Sequence, residues 1–137
     1  MAKTSGLGEV ITVTDSSTSA QTITNDITNW TLSTPRAVQD VTGVDKSANE
    51  RILLLADVSL TLNGVFNYAA NMSHAVFSTV PSTSVARAVT LQPTSSGEPV
   101  FDTTVIFTDY QLTRAATGEL TWQAPGSGSS GAVPTWS

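Results

Sequence analysis

Polar and apolar side chains alternate with a period of two along much of this chain, most clearly over residues 56–66, ADVSLTLNGVF. Val58, Leu60, Leu62 and Phe66 fall on one side of such a strand, while Asp57, Ser59, Thr61 and Asn63 fall on the other. At about 3.3 Å per residue the stretch would span roughly 30 Å. Its dry face needs cover from another sheet layer or a helix. The segment that follows offers one: Met72, Ala75, Val76 and Val80 recur at helical spacing behind Asn71 as N-cap, and Pro81 stops the run. A short helix over about 72–80 is expected.

Elsewhere the pattern is again that of strands. Residues 1–8, with Gly6 and Gly8, read as an arm leading into a strand over 9–14, and Asp15 and the serines after it supply turn chemistry. A second strand is expected from Gln21 to about Leu32. Ile23 and Ile27 share one parity and Trp30 and Leu32 the other, so it should bulge or bend near Asn29. Residues 33–51, STPRAVQDVTGVDKSANER, include Pro35, which confines a strand to an edge or a turn. Val38, Val41 and Val44 are too sparse for a buried hairpin, so a long, partly extended inter-strand loop that packs on something else is expected. Ser47 and Glu50 stand at capping-box spacing, which predicts one short helical turn before the apolar residues from Ile52 to Leu55.

Val85, Arg87, Val89 and Leu91 alternate with Ala86, Ala88 and Thr90 in a further strand that Pro93 closes. A long strand should then run from Val100 to about Arg114, with Ile106, Tyr110 and Leu112 on one face and Phe101, Val105 and Phe107 on the other. Apolar residues on both faces place it centrally or against a neighbouring subunit. Leu120, Trp122 and Ala124 mark a last strand, after which PGSGSSG has linker composition. The expected division is a single β-sandwich domain over 1–124 and a Gly/Ser-rich C-terminal arm over 125–137, whose Trp136 should dock somewhere.

Composition narrows the chemistry. A chain of 137 residues reads as one domain, and at about 150 residues a domain buries roughly 68–70% of its unfolded surface, so a core forms without staples. Cysteine is absent, which removes disulfides and thiolate metal sites. His74 is the single histidine, so no nucleophile, base and acid stand at supporting distances, and Asp102 and Asp109 would point to opposite faces of one strand. Neither an enzyme nor a cofactor is expected. The formal net charge is −5, which leaves no phosphate neutralisation as a source of affinity for nucleic acid. The start has no apolar h-region and no run of about 18 apolar residues occurs, so a soluble protein made in the cytoplasm, with no membrane partner, is expected. Charged residues are 12% of the chain, and a weakly repulsive polar surface suits a subunit that packs against its own copies. Arg36, Asp40, Asp45, Lys46, Glu50 and Arg51 gather opposite charges in the 33–51 segment, a pattern suited to a docking loop whose charges set register with an adjacent copy.

The ordered set of VTGVDKSANER, DVSLTLNGVF, HAVF, TDYQLTR and GELTWQAPG resembles the major tail (tail tube) proteins of long-tailed bacteriophages, over most of the chain from Gln21 onwards. The resemblance implies an antiparallel β-sandwich or barrel-like fold flanked by one helix. It implies copies closing into rings, six to a ring, and rings stacking into a virion tail tube through which DNA passes without specific binding, alongside tape measure and terminator proteins. It also implies that the long loop, carried onto residues 33–51, reaches an adjacent subunit or ring. A separate C-terminal Ig-like domain, present on some relatives, has no room here. Two rivals remain. One is another phage morphogenesis protein, a tail terminator or capsid decoration protein. The other is a β-sandwich carbohydrate-binding or adhesin module, which would set Trp30, Tyr68, Tyr110, Trp122 and Trp136 on one exposed platform.

Overall fold

Period-two patterning turns into strands along the whole chain. The computed structural model describes residues 8–17, 19–83, 85–94, 99–129, 131 and 134–136. Its strands are β1 (Val10–Thr14), β2 (Ala20–Thr22), β3 (Ile27–Ser33), β4 (Arg36–Asp40), β5 (Arg51–Ala56), β6 (Ser59–Val65), β7 (Arg87–Gln92), β8 (Phe101–Phe107), β9 (Gln111–Arg114), β10 (Leu120–Gly128) and β11 (Thr135–Trp136). One short helix, α1 (Ser73–Phe77), lies between β6 and β7, and a 3-10 turn at Thr24–Asp26 joins β2 to β3. The expected N-terminal arm falls outside the described residues except for Gly8.

Nine strands form one antiparallel sheet in the order β2-β1-β7-β8-β10-β6-β3, with β9 paired to β10 and β11 to β8; β4 and β5 form a separate two-stranded sheet. The long sheet curls so that β3, at one end, approaches the segment leading into β1 near the other. Trp30 Nε1 in β3 donates to Glu9 Oε2 just ahead of β1 at 2.9 Å, and the Ile23 amide after β2 donates to the Ile11 carbonyl in β1. The result is an open, sandwich-like wrap around one core. Ile11, Val13, Leu60, Leu62, Val89, Leu91, Phe101, Val105, Trp122 and Ala124 supply that core from the concave face, and Val76 and Phe77 of α1 cover it. Phe77 packs edge-on to Phe107 and against Trp122, with ring centroids 5.0 and 5.1 Å apart.

Two buried charges hold α1 in place. At its start the Asp26 carboxylate accepts the Ser73 amide at 3.0 Å and the Asn67 side-chain amide at 2.8 Å. At its end Arg87, 1% exposed, donates to the Val76 carbonyl and to Thr79 Oγ1. An anion at the N-terminus and a cation at the C-terminus both complement the helix dipole. Burial pushes the Arg87 pKa down, opposed by the charge of Asp15.

The structure corrects six expectations. The strand expected from Gln21 to about Leu32 is two strands, β2 and β3, parted by the 3-10 turn at Thr24–Asp26. Residues 33–51 are not a loop throughout: Arg36–Asp40 is strand β4, paired with β5. No helical turn follows Ser47, because residues 47 and 48 are bends and the chain extends directly into β5. The helix is shorter than 72–80: Met72 is itself extended, with φ −105° and ψ −170°, so the helix starts at Ser73, and after Phe77 the chain passes into turns. The strand from Val100 to Arg114 breaks into β8 and β9 at residues 108–110, and the turn swings Tyr110 inward onto Phe77. Finally, Pro125–Gly128 belong to β10 rather than to a linker: Pro125 pairs with Thr61, and Gly126 with both Leu60 and Phe107. Gly126 is there because a Cβ would overlap Val105 Cγ1 and lie 3.1 Å from Phe107 Cδ1. By contrast, the bend near Asn29 is present as a register shift between Ile27 and Asn29.

Candidate functional site

The feature that stands apart from the core is the β4–β5 arm. The chain leaves the body after Ser33, runs out and back, and returns at Ser59, which pairs with Ser33. Beyond a hydrogen bond from the Asp57 amide to the Pro35 carbonyl at its root, the arm's two strands pack mainly on each other. Every residue of β4 is exposed, and so is every residue of β5 up to Leu55. Register places Val38 opposite Leu53 and Asp40 opposite Arg51. Residues directly opposite share a face, so Val38 and Leu53 stand on one side with Arg51 and Ile52 stands on the other; a register shift between Arg36 and Val38 then sets Leu54 and Leu55 together opposite Ala37. Leu53 is 56% and Leu55 91% exposed. An isolated two-stranded hairpin is marginal in water, and this one presents apolar side chains on both faces.

Six of the seven residues expected at a subunit contact lie on this arm. Arg36 Nε donates to the Leu54 carbonyl at 2.9 Å and braces the root. Asp40 accepts from the Thr42 hydroxyl and from the Thr42 amide, which hold its carboxyl below the usual range. Thr42 Oγ1 accepts the Glu50 amide at 2.7 Å, closing the neck of the outer turn. Asp45 lies in the turn at the tip, and Lys46 meets Glu50 at 3.9 Å across an exposed i,i+4 pair. Such a pair contributes about 0–1 kcal/mol, so the arm is shaped by its backbone ladder rather than by charge. Arg51 forms no salt bridge among the described residues. Trp136 is elsewhere: β11 lies along β8 of the same chain, and the indole packs on Phe101 with centroids 4.9 Å apart while remaining 50% exposed.

Sequence reasoning missed Ile52, Leu53, Leu54 and Leu55 as surface residues. The available signal is their unbroken apolar run, which marks a strand covered on both faces, here one without cover inside its own chain. A second missed feature is a groove beside α1. His74, Val80, Pro81, Asp109, Tyr110 and Leu112 line a cavity of about 220 Å³. His74 Nδ1 lies 3.3 Å from the Tyr110 hydroxyl, and its ring stacks near Phe66. Burial, with the charge of Asp26 adding to it, pushes the Tyr110 phenol up to about 12. An adjoining cavity of about 300 Å³ shares Val80 and Thr108 and adds Val85 and Ile106.

The aromatic platform of a binding module is not formed. Trp122 is 2% exposed, Trp30 and Tyr110 pack against the core, and Tyr68 and Trp136 are the exposed members of the set. Among the described residues no three His, Cys, Asp or Glu side chains cluster as a metal site, and no helix is long and apolar enough to cross a membrane.

No protein-family model matches the sequence, and no curated protein matches it. Solved structures do. A chain from the tail of an empty gene transfer agent particle, determined by helical refinement with C6 symmetry, matches with a TM-score of 0.70 and 17% identity over 98% of each chain. The fold is one found in a particle tail. A chain from the virion of a native gene transfer agent particle matches with a TM-score of 0.68 and 15% identity, over 98% of this chain and 99% of that one. At such identities the likeness is one of fold, and at that level it bears out the resemblance drawn from the sequence.

Proposed function

We propose that this chain is the repeating subunit of a phage-like tail tube, a structural rather than catalytic protein. Copies close into rings of six, rings stack, and the resulting conduit carries DNA out of the particle. The observation that carries this reading is the β4–β5 arm, apolar on both faces and without cover in its own chain, on a fold whose solved neighbour stands in a C6 tail. A free hairpin of this kind is a liability in a monomer and becomes an interface once an adjacent copy covers it.

Arg36, Asp40, Asp45, Lys46, Glu50 and Arg51 then ride on the element that reaches the neighbour, and their mixed signs set its register. The outer edge of β3, seven residues long and unpaired on one side, is a second joining surface, since edge-to-edge closure removes the exposed ladder. Transit of DNA without specific binding follows from charge. The chain carries a net −5, and on the described strands of the long sheet the exposed charged residues are one anion, Asp102, and one cation, Arg114. A single exposed cation offers phosphates little to hold them. Tape measure and terminator proteins are the partners such a tube requires at its axis and its end.

Negative-stain microscopy of the purified chain tests the reading. Tubes or stacked rings are expected. Single closed rings would favour a tail terminator, and monomers at every concentration would overturn self-assembly altogether.

A further inference from the structure

The arm needs a receptor, and the groove beside α1 has the matching chemistry. We infer that the arm of one copy seats in the groove between α1 and β9 of the next, with Val38 and Leu53 entering beside Leu112 and with Arg51 facing Asp109. This deepens the tube reading and rests on it.

The two surfaces are the complementary unsatisfied parts of one chain. On the arm, Val38 and Leu53 form an exposed apolar face flanked by Arg51, which has no salt-bridge partner among the described residues. In the groove, Val80, Pro81 and Leu112 present aliphatic wall, Leu112 being 46% exposed, and Asp109 stands among the lining residues. The carboxylate of Asp109 accepts the Tyr110 amide at 2.8 Å and has no salt-bridge partner among the described residues. A cation beside a valine and a leucine and a carboxylate beside a leucine-lined wall are complementary in charge as well as in polarity.

The arm does not fill this groove in its own chain, since its strands pack mainly on each other. The groove proper, at about 220 Å³, and the adjoining cavity together form an open trough with aliphatic walls, suited to side chains from a strand. An arm and a receptor on different patches of one chain make a heterologous contact, which by repetition generates a closed ring or an extended stack. The proposed assembly requires that class of contact.

The chain has no cysteine, so a disulfide reports the contact directly. Leu53→Cys combined with Leu112→Cys, assembled and mildly oxidised, should give a ladder of covalent multimers on a non-reducing gel, at least tenfold stronger than Leu53→Cys with Gln123→Cys. A ladder no stronger than that control, from a protein whose wild type forms tubes, overturns the groove as receptor and leaves the tube reading standing. A wild type that stays monomeric overturns both. Leu112→Asp gives a readout free of introduced thiols: the monomer should keep its melting temperature while assembly falls at least tenfold, and tubes at wild-type yield would remove Leu112 from the contact.

Discussion

Gly126 separates two accounts of the C-terminal segment, one in which P-G-S-G is flexible tether and one in which it is the inner half of a paired strand. Replacing it with alanine would add a single methyl group. In a tether that change is neutral or slightly stabilising, because alanine has less unfolded-state freedom than glycine, by about 0.4–1 kcal/mol. In β10 the new Cβ would overlap Val105 Cγ1 and sit 3.1 Å from Phe107 Cδ1 and 3.2 Å from the Ile106 carbonyl oxygen. Val105 is fully buried, and strand β8 is held on both sides by β7 and β10, so neither neighbour can retreat without disturbing the core. Overpacking of this kind costs about 1–3 kcal/mol. Set against the entropic gain, the net loss is about 1–2 kcal/mol, and for a domain of this size the thermal midpoint falls by about 3–10 °C. Circular dichroism melts of Gly126→Ala, with Ser127→Ala as the exposed control expected within about 0.5 kcal/mol of wild type, read the difference. A Gly126→Ala protein that melts with or above wild type would refute the strand and restore the tether.

Four further outcomes can be checked. Asp26→Ala removes the acceptor of the Ser73 amide and the Asn67 side chain and should cost about 2–4 kcal/mol in denaturant titration, whereas Ser73→Ala, which deletes a buried hydroxyl with no hydrogen-bond partner among the described residues, should raise stability by about 1 kcal/mol. The Tyr110 phenol titrates near 12 in the folded chain against an ordinary 10.0, so the folded state holds its proton more tightly. Stability complete below pH 10 is then lost as pH rises towards 12, and Tyr110→Phe should flatten that decline in chemical-denaturation midpoints. Leu53→Asp with Leu55→Asp changes exposed positions and should leave the monomer's midpoint within about 0.5 kcal/mol while sedimentation shows assembly lost. A chain ending at Ser129 forfeits the Phe101–Trp136 contact and should melt about 0.5–1.5 kcal/mol less stable; if the arm function attributed to Trp136 is real, its tubes also form poorly.

Legibility in the sequence tracked how local the cause was. The alternation in β6, β7 and the core side of β8 is a short-range signal, and Leu60, Leu62, Val89, Leu91, Phe101 and Val105 are buried as it requires. The bulge at Asn29 was readable for the same reason, as a change of parity within one strand. What failed depended on partners distant in sequence. Pro125–Gly128 look like tether until β6 and β8 pair with them from both sides. The expected strand through Tyr110 breaks because that side chain finds Phe77 and His74 behind it. Residues 52–55 form an unbroken apolar run, yet all four are exposed, uncovered by the other described residues. Of the proposed contact residues, the charged cluster was visible in sequence because opposite signs stood close together, whereas the groove is assembled from α1, the turn after it and the β8–β9 corner and has no local signature.

The matched serines at the root of the arm, Ser33 opposite Ser59, have an architectural consequence. Residues 34–57 leave and re-enter beside that single rung, whereas Val58 next to it is a core residue whose carbonyl accepts the Gly128 amide, so 34–57 is a cassette: its length and composition can change without moving any strand of the wrapped sheet. A tight turn spliced in ahead of Val58 would yield a stand-alone scaffold, and a guest peptide placed there would be displayed once per chain.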